Sequence, residues 1–189
     1  MFQLTESDQR SLLEIARISV QSHLAGETPR LFEISNGVLT EPYAVFVSIH
    51  KGHELRGCIG NVHPRGPLYR STAECAIAAA VGDARFLPLT ALELQAIEFE
   101  ISVLSAIEPV QDIGEIEVGK HGLIISKRSL QGLLLPQVAT LYGWNRETFL
   151  RETCTKAGLQ PDDWREGASI SRFGAIVFSD HQFHQTAAS

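Results

Sequence analysis

The run YAVFVSIHKGHELRGCIGNV, residues 43–62, constrains the fold of this chain more than any other segment. Val45, Val47 and Ile49 recur with period two, and Phe46 and Ser48 fall between them. Side chains alternate across a strand, so one face of this segment is expected in a core and the other turned away from it. Lys51-Gly52 turns the chain and ELRGCIGNV returns, which makes a β-hairpin the simplest assignment. The next periodic segment, LYRSTAECAIAAAVGD, reads as a helix with Pro67 suited to its first turn. Leu68, Thr72, Cys75, Ala76 and Ala79 fall on its buried side, and its small alanines permit close packing on a sheet.

The rest of the chain alternates helices and strands without a repeat. Thr5 with Asp8 forms a capping-box pattern, and Leu12, Ile15, Ala16, Ser19 and His23 follow as a helical stripe that Gly26 and Pro29 end. Thr90 and Glu93 start a short helix. IEFEISVLS is a strand with Phe99, Ile101 and Val103 inward and Glu98, Glu100 and Ser102 outward. IGEIEVGKHGLIISKRSLQGLLLP reads as two or three short strands, 137–142 as helical, and Asn145 as the cap of a helix that Gly158 stops. ISRFGAIVF is the last strand, and residues 179–189 read as a loose polar tail. Hairpins mixed with helices, without regular strand–helix alternation, imply an α+β fold with a largely antiparallel sheet flanked by helices.

Several function classes are disfavoured by composition. A formal charge of −6 argues against general phosphate-backbone binding, and no run interleaves basic with aromatic residues, so nucleic acid is not an expected partner. No apolar stretch approaches the roughly 20 residues of a spanning helix, and the N-terminus lacks a signal pattern. The three cysteines, Cys58, Cys75 and Cys154, form no CxxC or zinc-type array, so free thiols in a cytoplasmic protein are expected. His181 and His184 are three apart but lack a third ligand, and Gly119, Gly122 and Gly132 are turn glycines rather than a phosphate loop. No metal site and no cofactor is expected.

ELRGCIGNV raises the functional question. Arg56 and Cys58 are two apart and so share a strand face, about 7 Å along the chain, while Leu55, Gly57 and Ile59 take the opposite, inward face. Gly57 and Gly60 leave room for another backbone or a ligand. A guanidinium beside a thiol favours the thiolate, giving a nucleophile or an anion pocket with a soft donor. The competing reading is a small buried cysteine with Arg56 in an ordinary surface ion pair. Arg85 and Glu100 are candidates to meet Arg56 in space, with structural ion pairing as the alternative. His121 is a candidate base for Cys58 if the hairpins come together. His50, His53 and His63 flank the run, the first two expected at the surface of the turn.

LRGCIG (55–60), DARFLPL (83–89), EFEISVL (98–104), KHGLII (120–125), LLLPQVA (133–139), FLRETCTKAGL (149–159) and FGAIVF (173–178) occur in the order and spacing of the AMMECR domain family. The resemblance covers residues from about 8 to 179. It implies a larger α+β lobe and a smaller β-rich lobe, the latter expected within about 110–140. Many prokaryotic members resemble component A of the AmmeMemoRadiSam system, whose other parts are a Memo-like protein and a radical SAM (S-adenosylmethionine) protein. Those two are the implied partners, and the iron–sulfur chemistry would belong to the latter, since this chain lacks a three-cysteine cluster motif. Asn61 follows LRGCIG where many relatives have Thr or Ser. Three readings of function remain: a catalytic or substrate-handling component of a modification system using Cys58 and Arg56, a non-catalytic scaffold for a protein partner, and a nucleic-acid or translation-linked accessory. Whether the chain is an enzyme, and in what oligomer it works, stays open.

Overall fold

The computed structural model describes residues 3–27, 32, 34 and 37–186, the side chains of 184–186 excepted. The chain divides into two compact units, Met1–Leu104 with Ile176–Ser189, and Ser105–Ala175. Pro29 and the side chain of His184 lie outside the described part.

The first unit is built on the hairpin. Strand β1 (Ala44–Lys51) lies between β2 (Glu54–Gly60) and β3 (Ile97–Leu104), antiparallel to both. Val47 faces Ile59 on one side and Ile101 on the other, and Ile49 faces Gly57 and Phe99, so one face of the sheet is continuously apolar. Two helices cover that face, α1 (Glu6–Leu24) and α2 (Leu68–Val81). The start of α1 is set by its cap: the Thr5 hydroxyl accepts the Asp8 amide at 3.2 Å and the Asp8 carboxylate accepts the Thr5 amide at 2.9 Å. His23, expected on the α1 stripe, is exposed; Val20, one turn after Ala16, completes the stripe instead. The inward residues of α2 are those its period implies, with Ser71 and Ala80 added.

Close approach of α2 depends on Gly57. A Cβ there would fall on the carbonyl oxygen of Ala79, so the helix backbone occupies the place of the missing side chain. The resulting core holds Leu12, Val20, Val45, Leu68, Phe99, Val103 and Phe178, each at most 1% exposed.

The second unit has its own core. β5 (His121–Lys127) lies between β6 (Leu130–Leu134) and the N-terminal part of β7 (Ser169–Ser179), and β4 (Glu108–Pro109) pairs with β7. Helices α3 (Pro136–Leu141) and α4 (Arg146–Lys156) complete it. Asn145 caps α4, its Oδ1 accepting the Thr148 amide at 2.9 Å, and Gly158 past the helix end has φ 76°. Ile116, Leu123, Ile125, Phe149, Leu150 and Cys154 form the centre, all fully buried. At Ser105–Ala175 this unit extends beyond the 110–140 expected for it.

The segment expected to be a loose tail is helical over α5 (Asp180–Thr186). Asp180 accepts the Arg17 guanidinium at 2.6 Å and the Phe99 amide at 2.8 Å, and the Phe183 ring lies 4.3 Å from the Arg10 guanidinium. These ties order a polar segment that composition alone leaves free. β1 with β2 and β3, β4 with β7, and β5 with β6 and β7 all pair antiparallel, and with the helices the architecture is α+β. Among the described residues no helix is long and apolar enough to cross a membrane.

Candidate functional site around Cys58

The face of the first unit's sheet away from α1 and α2 carries the polar residues. Direct partners in an antiparallel ladder share a face, and Ser48 is paired with Cys58 on one side and Glu100 on the other. One lateral row therefore reads Cys58–Ser48–Glu100, with the Ser48 hydroxyl donating to the Cys58 sulfur at 3.2 Å. The adjacent row reads Leu55–His50–Glu98. Sequence reading singled out Cys58 and Glu100; the fold brings them into one row and supplies Ser48 as the link.

Leu55 occupies the opposite place from the one expected. The pairing slips between Ile49 and His50, so Gly57 opposes Ile49, Leu55 opposes His50, and Arg56 is the extra residue of a β-bulge. The strict alternation that put Leu55 in the core resets at Arg56, and Leu55 is 37% exposed.

Arg56 is correspondingly committed elsewhere than the thiol. Its Nε and one terminal nitrogen donate to Glu93 at 3.1 and 3.3 Å, and its terminal nitrogens also reach the carbonyls of Leu87 at 2.8 Å and Pro88 at 3.3 Å. A capping box between Thr90 and Glu93 fixes the carboxylate. The Arg56 hydrogen bonds, followed by those from Thr90, hold Glu93 down at about 2. Arg56 thus pins the 87–93 segment against the strand, and none of its hydrogen bonds goes to Cys58.

The cation that does reach Cys58 is Arg85, through the backbone. Strand β2 is an edge of the sheet, and the Cys58 amide and carbonyl would otherwise be open pairing groups. Asp83 accepts the amide at 2.9 Å, and Arg85 donates to the carbonyl at 3.3 Å. Asp83 and Arg85 are joined by bonds of 2.6 and 2.9 Å between their side chains, and the Asp83 carboxylate also accepts the Arg85 amide at 3.1 Å. The Arg85 hydrogen bonds first, and the Cys58 amide after them, outweigh burial and hold the Asp83 carboxyl well below the usual carboxylate range. The Arg85 guanidinium is raised by the same pair. An ion pair in the position of a neighbouring strand closes the edge at Cys58.

The two glycines do not leave space for a ligand. Gly57 is filled by Ala79 of α2, and a Cβ at Gly60 would meet the Phe46 ring. His121 belongs to the second unit, where its Nδ1 accepts the Glu117 amide at 3.0 Å, so that nitrogen is spent on a local turn; burial lowers its pKa. Asn61 turns inward and donates to the Cys75 sulfur at 3.5 Å. Cys58 is partly exposed while Cys75 and Cys154 are buried, and burial pushes the Cys75 thiol up to about 11 and the Cys154 thiol upward. Among the described residues no group of three or more His, Cys, Asp or Glu could hold a metal ion. The neighbours of Arg56 and Cys58 that sequence reading passed over are Ser48, Asp83 and Glu93. Asp83 and Arg85 in DARF, two polar residues straight after an alanine-rich helix, carried a signal for them.

Comparison with known proteins agrees with this architecture. The AMMECR1 family model matches residues 13–178. A protein of Methanothermobacter thermautotrophicus is 41% identical over 94% of this chain and 96% of its own length. Protein MJ0810 of Methanocaldococcus jannaschii is 39% identical over 94% and 92%. The crystal structure of the uncharacterized protein PH0010 from Pyrococcus horikoshii superposes with a TM-score of 0.89 at 36% identity, covering 94% of each chain. With a family match that spans both units and relatives aligned over almost their whole length, the chain belongs to the AMMECR1 family.

Proposed function

We propose that the chain is a catalytic or substrate-handling component of a modification system, working with a Memo-like protein and a radical SAM protein, and that Cys58 is its reactive group. One observation carries this reading: Cys58 alone among the three cysteines is partly exposed, on an edge strand whose backbone is locked by Asp83 and Arg85, with a hydroxyl donor 3.2 Å from its sulfur. A reactive thiol needs access and a fixed direction, and both are present there. Arg56 enters as a positioning residue through the 87–93 segment.

The test is alkylation of the folded protein, each cysteine located by peptide mass. Cys58 is expected to label at least about tenfold faster than Cys75 and Cys154 at neutral pH. Equal or slower labelling of Cys58 removes it as a reactive group. For assembly, calorimetry with a Memo-like protein is expected to show micromolar binding, about 8 kcal/mol; no heat and no co-elution removes that partner.

A non-catalytic docking role has its own supporting observation. Leu87 and Leu92 are 83% and 94% exposed on the segment that Arg56 pins. If this reading holds instead, Leu87→Ser and Leu92→Ser abolish partner capture while Cys58→Ser leaves it intact.

A further inference from the structure

The KHGLII segment, residues 120–125, lies in the second unit and takes no part in the arrangement around Cys58. Its histidine closes a turn. The His121 amide donates to the Glu117 carbonyl at 2.9 Å and the Lys120 amide to the same oxygen at 3.2 Å. The Glu117 amide donates back to Nδ1 of the His121 ring at 3.0 Å. Gly119, with φ 85°, supplies the reversal, and a Cβ there would stand 3.0 Å from the Thr140 hydroxyl of α3. The chain leading into the turn is held independently. Ile116 is fully buried, Arg146 donates to the carbonyls of Ile116 at 2.9 Å and Gly114 at 3.4 Å, and Arg172 donates to that of Glu115 at 2.7 Å.

Only a ring nitrogen with a free lone pair accepts an amide, so the bond from Glu117 requires a neutral imidazole with its proton on Nε2. A second proton goes on Nδ1 and sets one N–H against another. The charges around the ring do not invite it. Arg172 of β7 is paired with Leu123, two residues from His121 on the same strand face, and Lys120 is the adjacent residue of the turn. The acids in the ring's field, Glu117 of the turn and Glu108 of β4, are each claimed by one of those cations. Lys120 holds Glu117 at 2.9 Å, and Arg172 holds Glu108 at 3.2 Å and reaches Glu115 at 3.6 Å. Burial first, and the Arg172 charge after it, lower the pKa of His121 from its ordinary 6.5.

We propose that His121 is an acid-released latch on the turn from Glu117 to His121: the neutral ring holds the Glu117 amide, and a proton on Nδ1 lets it go. The proton comes from solvent, and the bond given up is the one from the Glu117 amide to the ring. The two bonds to the Glu117 carbonyl and the arginine ties to residues 114–116 contain no group that titrates in this range, and they remain. The released part is therefore short, the start of the turn and the imidazole itself. Since the folded value lies below the unfolded one, the latch contributes fully above about pH 6.5 and is lost as pH falls through the folded value. Histidine is the side chain whose ordinary titration places such a change near physiological pH, and the latch does not depend on Cys58 being reactive.

Amide and imidazole NMR of the intact chain between about pH 8 and pH 5 tests it. The His121 ring is expected as the Nε2–H tautomer at the upper end, with a titration midpoint below 6.5. The Glu117 amide is expected to shift with the same midpoint, and its protection against hydrogen exchange to fall about tenfold or more across it. The amides of Leu123 and Ile125 stay protected. His121→Asn puts an oxygen that does not titrate where Nδ1 stands, so protection of the Glu117 amide should persist without pH dependence. His121→Ala should abolish both the protection and its pH dependence. The proposal is overturned if the Glu117 amide does not follow the ring, if its titration persists in either variant, or if His121→Asn protects it no better than His121→Ala. Loss of protection at Leu123 and Ile125 with the same midpoint also overturns it, because the unit would then be unfolding rather than releasing one turn.

Discussion

The two edge strands, β2 in the first unit and β6 in the second, are built by the same device and finished differently. Each follows a tight hairpin turn and carries a glycine where a helix presses on it, Gly57 against Ala79 of α2 and Gly132 against Ala157 at the end of α4. Beyond that they diverge. β2 has a bulge at Arg56, a partly exposed cysteine, and an ion pair closing its edge at Cys58. β6 pairs with β5 in unbroken register and has no comparable side-chain lock among the described residues. The cysteine of that unit, Cys154, is fully buried on α4. Helix packing through a missing Cβ is thus the shared structural requirement, and the lock, the bulge and the accessible thiol are what is added at β2.

The largest effect is expected where helix backbone meets strand. Gly57→Ala should destabilise the chain by about 3 kcal/mol, because overpacking against a helix backbone cannot be relieved by a rotamer change. Gly132→Ala should cost less, since Ala157 lies just past the last residue of α4 whereas Ala79 lies within the last turn of α2. Chemical denaturation of both variants checks the ranking, and a milder effect at Gly57 than at Gly132 would break the comparison.

Next comes the edge lock. Asp83→Asn keeps the shape but loses the charge, and should cost about 2 kcal/mol through weakened bonds to Arg85 and the Cys58 amide. Arg85→Ala should cost less, because the Arg85 side chain is 54% exposed while that of Asp83 is 5% exposed. Hydrogen exchange at the Cys58 amide should rise in Asp83→Asn while the amides of β6 stay as they were. Equal changes at both edges would mean that the lock acts on global stability alone.

Acid should loosen the same region. Glu93 is lowered from 4.5 to about 2 in the folded chain, and Asp83 is lowered further in the same direction. A carboxyl depressed by folding stabilises above its unfolded value and loses that contribution as pH falls towards the folded one. The stabilisation from Glu93 is therefore complete above about pH 4.5 and disappears progressively towards pH 2. Denaturant midpoints across that window should fall less steeply in Glu93→Gln than in the parent; identical slopes would remove Glu93 from the lock.

The smallest effect should be at Lys51, half exposed and 3.5 Å from Glu93. Lys51→Ala is expected to change stability by no more than about 0.5 kcal/mol. A thermal melt suffices to check it, and a loss comparable to that of Asp83→Asn would show that the network is shared more widely than the Arg56–Glu93 pair.

Much of this was legible locally. The period-two pattern of Val45, Val47 and Ile49 defines β1, Thr5 and Asn145 mark helix starts, and the inward face of α2 follows from helical spacing, because each depends only on residues within a few positions of one another. The strand faces of Phe99, Ile101 and Val103 follow in the same way. Leu55 was misplaced because a bulge is decided by the partner strand: the slip between Ile49 and His50 leaves no mark within LRGCIG itself. The tail was misjudged because its order comes from Arg17 and Phe99, far away in the chain.

By itself, then, the sequence determined the antiparallel α+β framework, the family, and Cys58 as the cysteine outside any helix, since periodicity, caps and motifs are local properties of the chain. Only the tertiary structure decided the partners of Cys58. Ser48 and the Asp83–Arg85 pair come from two separate segments, and strand pairing with loop docking brings them to one edge strand.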